Sequence, residues 1–309
     1  MNAAVSPVKK RKRRKADPWL YIMMIPGLVL VLIFSYGPLF GLTIAFQRFN
    51  LIQGIWGSEF VGFENFRFLF LNPSFKKVII NTVTMSAMKL VCRFIVPVVV
   101  ALLMNEIRSI RYKRIVQTLV YLPFFVSWVA LSGVFRSMLS PTDGIINEIL
   151  KKLGFAPAYF LGDPKLFPTV MVVTDSWKEF GYGTIVYMAA LTSIDPSLYE
   201  AASIDGANRF QRIWHITLPG MTSIMVLMAI LSLGGLLNAG FDQVFNLYNP
   251  QVYSTADILD TFTYRMGMGS AIPQYDMATA VGLVKSGVSL VLVSISYYLA
   301  YKLAGYRIF

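Results

Sequence analysis

Cysteine and histidine are nearly missing from this 309-residue chain: each occurs once, as Cys92 and His215. A lone cysteine excludes an intrachain disulfide and a cysteine metal cluster, and a lone histidine excludes an imidazole-based one. Any histidine-dependent triad would have to use His215. Walker A, nucleophile-elbow and HExxH patterns are absent too. Charge is also scarce. Charged residues make up 14% of the chain and hydrophobic ones 56%, whereas soluble domains carry about 25% charge. No soluble domain, low-complexity linker or tandem repeat stands out. The composition is that of a polytopic membrane protein with no active site of its own.

What charge there is has a strong sign and a strong location. Net charge is +12, and seven of the 28 basic residues fall between Lys9 and Lys15. Nucleic-acid binding would need basic residues spread over a folded surface with polar or aromatic readers among them. Here the cluster directly precedes an apolar run, where a cytoplasmic membrane anchor belongs. That run is longer than the roughly 7–15 residues of a signal-peptide core and lacks a small-x-small cleavage site, so it reads as an uncleaved first span.

Runs of about 20 apolar residues predict six transmembrane helices, at 21–46, 78–104, 115–139, 166–191, 218–241 and 278–304. The fourth is the weakest, because Asp175, Lys178 and Glu179 interrupt it. An even number of spans puts both termini on one side. That side holds fifteen basic residues and the opposite loops hold eight, so the positive-inside rule places both termini and the 192–217 loop in the cytoplasm. The expected fold is all-α and integral to a plasma membrane. Residues 1–77 form a basic tail, one span and an extracytoplasmic loop, 78–304 form the main bundle, and 305–309 form a cytoplasmic end.

The 192–217 loop carries the strongest local signal. Asp195 followed by Pro196 is a favourable helix start. Gly206 sits where the helix must turn and stop. A second short helix is expected over 207–215, with Phe210, Ile213 and Trp214 on one face, and Pro219 then opens the next span. The order Glu200-Ala201-Ala202, Asp205-Gly206, Phe210, Ile213, Pro219 resembles the EAA motif of binding-protein-dependent ABC importer permeases.

Three softer stretches resemble the carbohydrate-uptake branch of that family. They are the basic tail with 19–27, Tyr121-Leu-Pro-Phe-Phe125 with Trp128, and the Ile-Asp-Gly-Ala core at 204–207; Val61–Phe66 is similar to the segment before the second span of sugar permeases. The resemblance implies a type I importer fold with cytoplasmic coupling helices. It also implies a second homologous permease, two ATPase subunits and an extracytoplasmic solute-binding protein. ATP and magnesium would then sit on the ATPases and no cofactor on this chain. Glu200 would contact the ATPase cleft, Ala201 and Ala202 would allow close approach, and Phe210 and Ile213 would fill its apolar part. Alternating access would carry the motion through Pro219 into the fifth span.

Ionisable groups within spans are costly and usually face the bundle interior or water. Lys89 and Arg93 share a helix face, and Asn238 and Asp242 share another beyond the Gly234-Gly235 pair. Trp128, Trp177, Lys178, Glu179, Tyr182, Tyr187, Asn238 and Asp242 are the candidate solute-path residues, because sugars need aromatic faces for stacking and polar groups for their hydroxyls. Lys89, Arg93, Arg136, Lys178 and Lys285 within the spans outnumber the acids Asp175, Glu179 and Asp242, an imbalance that suits an acidic oligosaccharide. Two alternatives remain open: a permease of the same architecture for glycerol phosphate or amino acids, and a membrane receptor or intramembrane enzyme.

Overall fold

The apolar runs are satisfied almost entirely by helix. The computed structural model describes residues 18–304; the basic cluster at 9–15 and the segment 305–309 lie outside them. Helix α1 (Tyr21–Phe46) widens at Leu32–Tyr36 and tightens from Gly37 onward, beside Pro38, which has no backbone donor. A two-residue strand pair follows, β1 (Gln47–Arg48) against β2 (Glu59–Phe60), the single sheet among the described residues. The aromatic-rich loop then forms α2 (Glu64–Leu71), which buries Asn65 and Leu69.

Asn72 caps the next helix by accepting from the Ser74 N–H, with Pro73 at its first position. This helix, α3 (Pro73–Asn105), is followed by α4 (Ile110–Phe125), α5 (Trp128–Met138) and α6 (Ile145–Lys152). Then come α7 (Phe167–Thr192), α8 (Pro196–Ile204), α9 (Arg209–Leu233), α10 (Phe241–Leu247), α11 (Leu259–Gly267) and α12 (Tyr275–Ala304).

Four of these helices, α1, α3, α9 and α12, are long and apolar enough to cross a membrane, and α4 with α5 would make a fifth crossing. Helix α7 lies where the fourth run predicts it and has 26 residues, but its charged centre keeps it out of that class.

Three expectations need correction. The run 115–139 is not one helix: α4 and α5 meet at 100°. Val126 is extended there, and the Ser127 side chain accepts from the Ala130 N–H to start a new helix. The run 218–241 also breaks. Its helix ends at Leu233 and the chain unwinds to Gly240, at φ 89°, before α10 begins. Asn238 and Asp242 therefore flank a left-handed turn and share no helix face. Finally, 207–215 is not a separate helix, because Arg209–Leu233 runs as one.

Among helix pairs, α3 and α7 share the most extensive packing. In lipid, association rests on close packing and hydrogen bonds more than on apolar burial, and the glycines fit that rule. A Cβ on Gly181 of α7 would sit 2.2 Å from the Val120 carbonyl oxygen of α4. One buried cluster, including Ala101, Met104, Leu191 and Met221, ties α3, α7 and α9 together near the 195–217 segment. A second, including Met85, Phe167, Met171, Val244 and Leu247, joins α3, α7 and α10. A third, including Leu69, Phe75, Phe262 and Val281, seats α2 and α11 against α3 and α12.

Candidate coupling and solute-path sites

The Asp195–Pro219 segment builds a bent lever from local chemistry. The Asp195 carboxylate accepts from the Ser197 N–H at 2.9 Å, which holds its carboxyl below the usual aspartate range. Helix α8 ends at Gly206 with φ 77°, where an L side chain would be strained, and the Ala207 N–H reaches back to the Ala202 carbonyl at 2.8 Å. Asn208 and Gln211 then form a reciprocal capping box for α9.

Contacts between segments set the bend. Arg212 donates to the Ser203 hydroxyl at 3.0 Å, Tyr199 and Thr217 share a hydrogen bond of 3.1 Å, and Arg209 pairs with Glu106 at 3.7 Å. Pro219 has no N–H to give. The ladder before it shifts into one wide turn, Ile213–Thr217, in which the Leu218 N–H bonds the Ile213 carbonyl. The lever is therefore continuous with the long helix α9.

Its outer surface is apolar and unpartnered. Phe210 and Trp214 are 73% and 62% exposed, and Ile204, Glu200, Ala201, Asp205 and Pro219 are exposed too, while Ile213 and Ala202 are half-buried. Such a patch, rimmed by charge, is the form a docking surface takes. His215 uses Nδ1 locally, against the Gln211 carbonyl.

Inside the bundle, polar groups are buried and linked over long sequence distances. Arg93 Nε and Nη2 each donate to one oxygen of Asp175 at 2.8 Å, and Lys89 Nζ lies 3.5 Å from the same carboxylate. Lys89 also donates to Gln243 and, at 2.6 Å, to the Ala239 carbonyl that the unwound segment leaves free. Gln243 in turn donates to the Met171 carbonyl and the Thr174 hydroxyl, both at 2.8 Å. This node fastens α3, α7 and α10 at one point. Sequence reasoning missed Gln243, which gives no local signal.

The other cations are met as well: Lys285 by Asp260 at 2.5 Å, Arg265 by Asp257 at 2.5 Å, and Arg136 by the Asn246 carbonyl at 2.5 Å. The cation excess is thus smaller than expected, because Asp260 meets one of the five cations, while Asp257 only offsets Arg265, which is not among them. Asp257 lies outside the long helices, and burial pushes its carboxyl above the usual range.

The candidate solute-path residues divide into two groups, with two left out. Lys178 Nζ donates to the Phe124 carbonyl at 2.8 Å, lies 3.4 Å from Glu179, and sits over the rings of Phe124 and Trp128. Tyr182 stacks on Phe124 with ring centroids 4.7 Å apart, and Trp177 meets Phe135 edge-on. Trp128, Lys178, Glu179 and Tyr182 thus gather around Phe124, and Trp177 lies beside Lys178 on α7 but against Phe135. Asn238 lies elsewhere, in a cavity of about 910 Å³ also lined by Arg93, Phe241, Asp260, Tyr264 and Tyr275.

Tyr187 offers no face to a solute. It is 2% exposed and packs edge-on to Phe94 in the core. Asp242 is exposed in the first turn of α10 and outside the cavity. Among the described residues no cluster of acids, histidine and cysteine could hold a metal.

Comparison with known proteins agrees with this layout. "Protein LplB" of Bacillus subtilis (strain 168) is 42% identical over 93% of this chain and 90% of its own length. The "Polygalacturonan/rhamnogalacturonan transport system permease protein YteP" of the same organism is 40% identical over 95% of this chain and 93% of its own. A solved chain from a bacterial ABC transporter involved in the import of the acidic polysaccharide alginate superposes with a TM-score of 0.84 at 38% identity, covering 93% of this chain and 96% of that one. The binding-protein-dependent transport system inner membrane component family matches residues 93–305. This multi-pass chain belongs to that family.

Proposed function

We propose that this chain is the permease subunit of an ATP-driven importer that moves acidic oligosaccharides inward by alternating access. The observation that carries the proposal is the exposed lever at Asp195–Thr217, built without a break into α9. A protein that docks on Glu200, Phe210 and Trp214 moves α9 as one piece. Glu200 supplies the charged contact, and Ala201, Ala202 and Asp205 lie along the docking face. Gly206 sets the bend, Phe210 and Ile213 give the apolar contact, and Pro219 marks the entry to the span.

The partner at the lever is an ATPase dimer that holds ATP and magnesium; this chain needs no cofactor of its own. A second permease of the same family completes the path, and a solute-binding protein delivers sugar from outside. In this reading α7 is the sixth crossing. Its charged residues face the α3 node and the Phe124 ring rather than lipid, which is how spans tolerate charge. Both termini and the lever then lie in the cytoplasm. Residues 78–304 act as the translocation unit, with 1–77 and 305–309 as its additions.

Acidic substrates are supported by two relatives, the polygalacturonan/rhamnogalacturonan permease and the alginate importer, and by the cations retained in the bundle. The test is uptake by proteoliposomes holding the whole complex with its binding protein. ATP-dependent entry of galacturonate oligosaccharides is expected. Absence of ATPase co-purification, or lever cysteines labelled only from outside intact cells, would overturn it.

A further inference from the structure

Among the described residues Arg93 is the one cation that lines the 910 Å³ cavity, and it has donors left over there. Its guanidinium carries five N–H donors in a flat fork with two usable edges. The Nε–Nη2 edge is committed to Asp175. The side chain is still 43% exposed and lines the 910 Å³ cavity. Among the described residues Asp175 is the one acid bonded to Arg93; it is shared with Lys89, and nearby Glu179 is met by Lys178 at 3.4 Å. Two fixed cations on one carboxylate leave a single positive charge, and Lys89 is almost fully buried.

The remaining cavity charge cancels, because Asp260 pairs with Lys285. Lys178, Arg136 and Arg265 do not line the cavity and have their own acceptors. The same walls present the Tyr264 and Tyr275 rings and the Asn238 amide, the groups a pyranose ring and its hydroxyls require. The volume falls within the roughly 300–1,000 Å³ usual for ligand pockets.

We propose that the edge between the two Nη atoms of Arg93 is a subsite for a carboxylate of the transported sugar. A hexuronate carboxylate accepts two parallel N–H bonds there, while Asp175 holds the opposite edge and fixes the plane of the fork. Lys89 is a positioning residue: it shares Asp175 and keeps the site cationic. This inference rests on the acidic-oligosaccharide reading above and narrows it to one side chain.

The complete transporter, without its binding protein, is placed in lipid nanodiscs and titrated with a galacturonate trisaccharide and with its uncharged methyl ester. Saturation-transfer NMR registers the weak binding expected. The wild type should bind the acid at least about tenfold more tightly than the ester, on the scale of one charge-assisted pair. Arg93→Gln should remove that preference and leave ester affinity unchanged. Arg93→Lys should keep part of it. Arg93→Gln also takes two close hydrogen bonds from buried Asp175 and leaves it Lys89 alone, so its thermal midpoint should fall below wild type; Arg93→Lys, which keeps the charge, serves if the glutamine variant does not accumulate. An intact preference in Arg93→Gln, or equal loss for acid and ester, overturns the subsite alone. Equal affinity for acid and ester in the wild type overturns the acidic-substrate reading, and no binding of either overturns the saccharide reading with it.

Discussion

At the coupling end, Glu200 on α8 and Phe210 and Trp214 in the first turns of α9 stand exposed, and the side-chain hydrogen bonds of that segment close within 2 to 18 residues of sequence. In the bundle, Lys89, Asp175 and Gln243 are buried, and their bonds join segments 69 to 154 residues apart. The first arrangement forms wherever its own segment is placed and leaves its surface free for a partner. The second exists only when three helices are already together. A membrane transporter needs both: a handle that is complete before it is gripped, and an interior whose polar groups agree on one arrangement.

The sharpest way to break the contrast is at the shared carboxylate. Asp175→Ala leaves Lys89 buried without its counter-charge, and breaking a buried pair costs about 3–5 kcal/mol. The variant should fail to accumulate in membranes, or melt far earlier in detergent, and Lys89→Met added to it should recover part of the loss. Gly181→Val comes next. A side chain there meets the Val120 backbone, which cannot rotate away, so a cost of about 1–3 kcal/mol and a lowered melting midpoint are expected.

Changes at the lever should divide function from stability. Glu200→Lys should leave insertion and melting within error of wild type while sugar uptake falls to background; normal uptake would remove Glu200 from the docking contact. The mildest change is Asn208→Ala, which deletes half of the capping box for about 1 kcal/mol. It should fray the start of α9 and lower coupled ATPase activity modestly, with the binding-protein response retained.

The same contrast decides what could be read from the chain alone. The cap at Asp195, the stop at Gly206 and the apolar exposure of Phe210 come from residue types at fixed local spacing, and the structure has them where the sequence predicts. The continuity of the lever with α9 does not come from such rules, because Pro219 ordinarily signals a helix start and here only widens a turn. Both broken spans were hidden for a related reason. Hydropathy runs on through Val126 and through Gly234–Gly240, and the partners that compensate for the breaks are remote: Lys89 takes up the Ala239 carbonyl from 150 residues away. Asn238, read from the sequence as a polar group for sugar hydroxyls, lines the 910 Å³ cavity. Tyr187 was misjudged because ring chemistry does not tell which side of a helix is packed.

The long sequence separations in the node bear on how the chain enters the bilayer. Synthesis runs from the N-terminus, so α3 leaves the ribosome with Lys89 and Arg93 before Asp175, 82 residues beyond Arg93, has been made. Gln243 follows later still. A helix carrying two uncompensated cations is poorly suited to lipid, and α3 must wait at the insertion machinery, or with its charges drawn toward the headgroups, until α7 arrives. Nascent chains cut short before Asp175 would then be the ones a membrane quality-control protease removes.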